Sequence, residues 1–205
     1  GHGRVGNDHP IGQANRFVDN SIPQRTYDPD KAKFHLKKAG VSNLKVDLSA
    51  ADAAFAGAVD AAVLYKEHAK KSGIDINVVR EPNDGYWSNV WLKKPFCTCY
   101  WGGRPTEDWM FVSTYAAESK WNDAYWQHEK FNKLLVEARS ELDESKRGEM
   151  YADMQGIVSN EGGTAIPVFN NYLFASTKNV SQPEKMSNNW STDGQRAILR
   201  WWKTA

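Results

Sequence analysis

The chain has 205 residues and a mass of 23.2 kDa, long enough to bury a substantial hydrophobic core. Its 26 basic and 25 acidic side chains leave a formal charge of +1, with both signs scattered along the helical segments, which argues against a nucleic-acid surface. At 40% hydrophobic and 25% charged, with a mean hydropathy of -0.67, the composition is that of a globular chain and not a collagenous or disordered one, and no apolar run approaches the roughly 18 residues needed to span a bilayer.

Residues 1 to 27 hold Gly1, Gly3, Gly6, Pro10, Gly12 and Pro23 with little periodicity and read as an irregular lead-in. Asp28 then supplies an N-cap and Pro29 a first turn; Ala32, Leu36 and Ala39 keep one face apolar until Gly40 ends the helix. Leu44, Val46 and Leu48 alternate with polar residues, so 43 to 48 is a strand. From 53 to 72 Phe55, Val59, Ala62, Val63 and Ala69 recur at helical spacing, and Gly73 is the stop. A second strand follows at 74 to 79, and a strand, helix and strand of these lengths form the right-handed crossover of a parallel sheet. After a turn at 82 to 85 the pattern predicts a short helix through Trp87 and Trp91 ending near Pro95, then a third strand at 96 to 101.

Thr106 caps the next helix, whose first turn holds Glu107 and Asp108, favourable at the positive end of the helix dipole. A polar and aromatic loop spans 116 to 127. Two amphipathic helices come after it, one using Phe131, Leu134, Leu135 and Ala138, the other Met150, Tyr151, Met154, Ile157 and Val158 until Gly162 and Gly163 stop it. Residues 164 to 169 and 172 to 177 are apolar and β-prone, joined by Asn170 and Asn171, and read as strands; 195 to 203 fits a short helix or a strand. The fold class is therefore α/β, a mainly parallel sheet flanked by helices.

Ligands of open α/β sheets bind beyond the carboxyl ends of the strands, and that rule points to the turn Trp101, Gly102, Gly103, Arg104 after the third strand. Paired glycines allow close backbone approach, and Arg104 offers a forked cation to a carboxylate or phosphate; equally, the glycines make a tight turn and Arg104 pairs with Glu107 or Asp108. Asp8 beside His9 is capable of general-base chemistry, although a hydrogen-bonded turn at Pro10 explains the pair as well. His35, His68 and His128 lie on predicted helices and carry no assigned role. Cys97 and Cys99 share a face of an extended segment, where a disulfide between them is strained; buried free thiols fit better than a metal pair. Nine tryptophans include Trp87, Trp91, Trp101, Trp109, Trp121 and Trp126 close together in sequence, the makings of a thick aromatic core or a ring-lined pocket. No serine elbow, zincin helix, phosphate loop or dinucleotide fingerprint occurs, so neither a metal nor a cofactor is expected.

The order of motifs resembles the C-terminal lobe of the peptide and nickel class of extracellular solute-binding proteins, family 5. The matching pieces are YDPDKAKFHLKKAG at 27 to 40, AKKSGIDINV at 69 to 78, NDGYW at 83 to 87, YWGGRPTEDW at 100 to 109, WNDAYW at 121 to 126, FNKLLVEAR at 131 to 139 and ESKRGEMYADMQGIVSNEGGTAIPVF at 144 to 169. The resemblance implies a lobe of the type II periplasmic-binding, cluster C architecture, with 1 to 27 as hinge and lead-in from an N-terminal lobe that lies elsewhere and 28 to 205 as the C-terminal lobe. It implies an exported, periplasmic or extracellular substrate-binding component of an ABC importer, not an enzyme, whose partners are a small solute, the membrane permease and the other lobe of the same protein. Arg104, Trp101, Gly102, Gly103, Tyr86, Trp126, Asp8 and His9 are the ligand-binding candidates. Peptide-binding relatives carry an aspartate third after the turn's tryptophan, to receive the peptide's amino terminus. Here that position is Arg104, which repels an ammonium group and favours an anion, a polar organic acid or a peptide-like molecule held by its carboxylate. Two other readings are a hydrolase or transferase built on Asp8, His9 and a cysteine, and an aromatic carbohydrate-binding module using Trp87, Trp101 and Trp126.

Overall fold

The computed structural model describes residues 3 to 187 and 190 to 204; Gly1 of the lead-in lies outside the described residues. Two compact units divide the chain: Arg25–Trp101 form one, and Gly1–Gln24 together with Gly102–Ala205 form the other. Among the described residues no helix is long and apolar enough to cross a membrane.

The unit of Arg25–Trp101 opens with helix α1 (Pro29–Lys38), whose cap is as expected: the Asp28 carboxylate accepts from Lys31 N at 2.9 Å, and Gly40 stops the helix at φ 72°. Its apolar face is shallow, because none of its residues is fully buried. Strand β2 (Leu44–Ala50) and strand β3 (Ile74–Arg80) pair in parallel with Leu44 opposite Ile74 and Ala50 opposite Arg80. Helix α2 (Ala58–Lys70) makes the crossover, and Leu48, Ala50, Ala62, Ala69 and Ile76 close the core beneath it.

This helix begins later than the spacing predicts. Asp52 accepts from Val59 N at 3.3 Å and Asn83 accepts from Ala53 N at 2.9 Å, so 51 to 57 is a turn ended by Gly57 at φ 81°. Its buried face is alanine-rich, and Val63, which the sequence placed inside, is 47% exposed. Helix α3 (Tyr86–Asn89) is likewise shorter than expected, and Leu92 turns the chain at φ 57°.

The third strand is reduced to a single parallel bridge, Ser49 opposite Cys97. Ser49 N donates to Phe96 O and Thr98 N to Ser49 O, both at 3.0 Å, but the pairing stops there because the Tyr86 hydroxyl takes the Thr98 carbonyl at 2.6 Å.

In the other unit the lead-in contributes strand β1 (Gly3–Val5). Helix α4 (Glu107–Thr114) is capped by Thr106, which accepts from Trp109 N at 3.2 Å. Helices α5 (Glu129–Ser140) and α6 (Glu144–Glu161) follow the 116 to 127 loop, and Gly163 at φ 70° ends the run. Phe111, Phe131, Met154 and Val158 lie at the core, with Phe111 edge-on to Phe131 at 5.3 Å.

Strand β4 (Val168–Asn170) pairs antiparallel with β1 and not with a hairpin partner; the expected strand at 172 to 177 does not form, and Phe174 rests on Trp201 instead. Strand β5 (Val180–Ser181) pairs antiparallel with β6 (Trp202–Lys203), and between them lie two short turns of helix, α7 (Ser191–Gln195) and α8 (Ala197–Arg200), so the ambiguous tail contains both elements.

The irregular lead-in is held by side chains reaching in from the helices. Gln155, fully buried, donates to Phe17 O at 2.8 Å and accepts from Asp19 N at 2.9 Å; buried Glu107 accepts from Phe17 N at 2.7 Å, and Ser159 donates to Asn7 O at 2.8 Å. These bonds satisfy backbone groups that no ladder serves. Close approach does the rest: a Cβ on Gly6 would collide with the Ile166 carbonyl, whereas one on Gly12 would meet only the Phe169 ring at 3.7 Å. Gly6→Ala is therefore expected to lower stability by roughly 1–3 kcal/mol, with Gly12→Ala close to neutral, as read from urea-unfolding midpoints of the two variants.

Candidate functional site

The turn singled out by the sequence lies where the chain passes from one unit to the other, with Trp101 ending Arg25–Trp101 and Gly102 opening the next segment. Arg104 folds back on this turn: its Nη1 donates to Gly102 O at 2.7 Å and its guanidinium lies over the Trp109 ring at 5.8 Å. Asn15 donates to Arg104 O at 3.2 Å, so the lead-in fixes the turn's backbone. Trp190 Nε1 donates to Gly103 O at 2.6 Å and meets Trp109 nearly perpendicular at 6.3 Å. The turn thus places a cation beside an aromatic pair. Nearby, Glu107 accepts from Phe17 N at 2.7 Å and Asp108 pairs with Arg139 at 2.6 Å.

Asp8 and His9 lie in the same unit as Arg104, within its backbone scaffold. Asp8, at φ 58°, accepts from Ile166 N at 2.8 Å. His9 is only 6% exposed, its Nδ1 is buried without a hydrogen-bond partner among the described residues, and burial holds its imidazole below the ordinary value against the opposing pull of Asp19 and Asp8. A neutral, enclosed imidazole beside a carboxylate engaged by the backbone gives no support to the hydrolase reading.

Trp126 belongs to an aromatic cluster with Tyr115, His128 and Phe131, at 5.8, 5.4 and 5.2 Å. Asn122 ties its loop by donating to Trp126 O at 2.6 Å. His128, left without a role by the sequence, is the N-cap of α5, its Nδ1 accepting from Phe131 N at 3.1 Å. The sequence signal was its place just before the first turn, which is easy to miss because Ser, Thr, Asp and Asn are the usual caps.

The remaining two candidates lie in Arg25–Trp101. Tyr86 is 1% exposed, and its hydroxyl, pushed up to about 12 chiefly by burial, bonds Thr98, so this side chain serves the core. Trp101 meets Trp91 at 6.2 Å, and Trp91 meets the half-exposed Trp87 at 5.9 Å, a run of edge-to-face rings. Cys97 and Cys99 are unbridged and half-buried. Among the described residues no group of three or more His, Cys, Asp or Glu side chains is placed to hold a metal ion.

One cleft escaped the sequence reading. It holds about 290 Å³ beyond the carboxyl ends of β2 and β3 and is lined by Asp52, Arg80, Glu81, Pro82 and Asn83, with Glu81 accepting from the Ser49 hydroxyl at 2.8 Å. The strand-end rule was applied to the third strand, but the two fully paired strands open here.

This fold combines a parallel strand pair bridged by a helix with an antiparallel ladder between Gly3–Val5 and Val168–Asn170. Two solved structures share it. The oligopeptide-binding protein AppA from Bacillus subtilis, in complex with a nonapeptide, matches 100% of the chain with a TM-score of 0.73 at 18% identity; NikZ from Campylobacter jejuni, in complex with Ni(L-His), matches 98% with 0.71 at 18%. Residues 1–123 match the family described as bacterial extracellular solute-binding proteins, family 5 middle, and the chain belongs to that family. A curated relative, Di/tripeptide-binding protein 4 of Pseudomonas aeruginosa, is 27% identical over 177 residues, which is 80% of this chain. The chain spans 32% of that relative and 43% and 44% of the two solved chains.

Because the folded imidazole of His9 is lowered, its contribution to stability is complete above the ordinary histidine value of about 6.5 and is lost as the pH falls through the folded value. His9→Gln is expected to flatten the loss of stability between neutral pH and about pH 5. Chemical-unfolding midpoints of parent and variant across that window check it, and parallel curves would contradict it.

Proposed function

We propose that this chain is the C-terminal lobe of an exported, periplasmic or extracellular substrate-binding component of an ABC importer. In this reading residues 28 to 205 form the lobe and 1 to 27 lead into it from the rest of the protein. The component captures a small polar or anionic solute between its two lobes, by binding and not by turnover, and hands it to a membrane permease. The observation that carries the reading is the family match over residues 1–123. The relatives' names supply the class of cargo, peptides in one case and a nickel–histidine complex in another.

Arg104 narrows the cargo. Its guanidinium, lying over Trp109 at the Gly102–Gly103 turn, suits a carboxylate and repels a free ammonium. A peptide-like acid held by its carboxylate, or an organic acid, fits this better than an oligopeptide held by its amino terminus.

The experiment is a thermal-shift panel of acids, amines and peptides on the full-length protein and on its Arg104→Ala form. A bound acid should raise the melting temperature of the full-length protein by mass action. Loss of a charge-assisted contact should weaken binding in Arg104→Ala by about tenfold or more. An unchanged response in the variant, or a panel in which only free-amine peptides stabilise the parent, would overturn the anionic-cargo reading.

A further inference from the structure

Thr192, Asp193, Gly194 and Gln195 all have positive φ, at 48°, 60°, 67° and 62°. Only glycine adopts this left-handed region freely, and a β-branched threonine there is a strong outlier. Such a run persists only where its surroundings over-determine it. They do so here. Asp193 is 2% exposed, and its Oδ1 accepts from Ser187 N at 2.7 Å and from Arg200 Nη1 at 2.8 Å; its Oδ2 is buried without a partner among the described residues. Arg200 Nη2 donates to Lys185 O at 2.7 Å, and Trp190 is pinned to Gly103 O.

The left-handed turn helps to form a cleft of about 420 Å³ lined by Pro105, Ser187, Trp190, Gly194 and Arg196. That size suits a small organic ligand. Its lining contains one charge. Asp193 and Arg200 offset each other in their ion pair, while the exposed Arg196 guanidinium makes no hydrogen bond or ion pair among the described residues. Beside that cation stand an indole and a hydroxyl.

We infer that this cleft binds a small carboxylate carrying an apolar or aromatic flank. Arg196 takes the carboxylate as a fork, Ser187 adds a hydrogen bond, and the Trp190 ring covers the flank. Asp193 is a positioning residue: it touches no ligand and holds the turn that presents Arg196. The inference stands on residues 103 to 109, 185 to 187 and 190 to 200 alone and holds whatever becomes of the importer reading.

The test is an NMR titration of the 205-residue chain with phenylacetate, phenylacetamide and inorganic phosphate, read at the Trp190 indole N–H and the Gly194 amide. Phenylacetate should shift both saturably. Phenylacetamide, of the same shape without the charge, and phosphate, an anion without the ring, should each bind about tenfold or more weakly. Arg196→Gln should lose about as much affinity for phenylacetate, with Arg196→Lys falling between because it keeps the charge and loses the fork. The inference is overturned by the absence of saturable shifts, by equal binding of the amide or of phosphate, or by unchanged binding in Arg196→Gln. The comparison of the three probes on the unmodified chain decides the matter even if a variant fails to fold.

Discussion

The unit that carries Arg104 depends on satisfying the backbone of a segment that has almost no secondary structure of its own. Beyond β1, the lead-in up to Gln24 forms no helix and no ladder, yet its Phe17, Asp19 and Asn7 backbone groups lie against helices. Leaving such groups without partners in a protein interior costs about 1–3 kcal/mol each. Buried Gln155 and Glu107 meet that requirement from α6 and α4, and the same segment then presents Asn15 to the Arg104 carbonyl. The candidate ligand turn is therefore positioned by residues about ninety places earlier in the chain as much as by its own glycines.

What the sequence made legible is its punctuation. Asp28 with Pro29, Gly40, Gly73, Thr106 and the Gly162–Gly163 pair act through their own backbone or the next turn, so each reads locally and each holds in the structure. The parallel β2–β3 pair was readable for the same reason, since alternation and helical spacing are local patterns.

The misreadings share one cause. The third strand ended because Tyr86, twelve residues before Thr98, took its carbonyl, and the hairpin after residue 164 gave way to pairing with β1 at the far end of the chain. Local β-propensity at 96 to 101 and 172 to 177 was real, but partner supply decides whether a strand forms. Gln155 looked like one polar residue on an amphipathic helix, and nothing near it in sequence shows that Phe17, 138 residues away, is its partner. Residue types single out the Gly102–Arg104 turn as the proposed site, whereas Tyr86 is buried in the core and the Trp190–Arg196 cleft depends on a left-handed turn that no pattern announces.

Everything built on the Arg104 turn needs an irregular segment to behave as part of the fold and not as a tether. Hydrogen exchange at the Phe17 and Asp19 amides reads this directly. Protection matching that of the α6 amides around Met154 is the expected result; exchange near the rate of an unstructured peptide at these two positions, with α6 still protected, would contradict it.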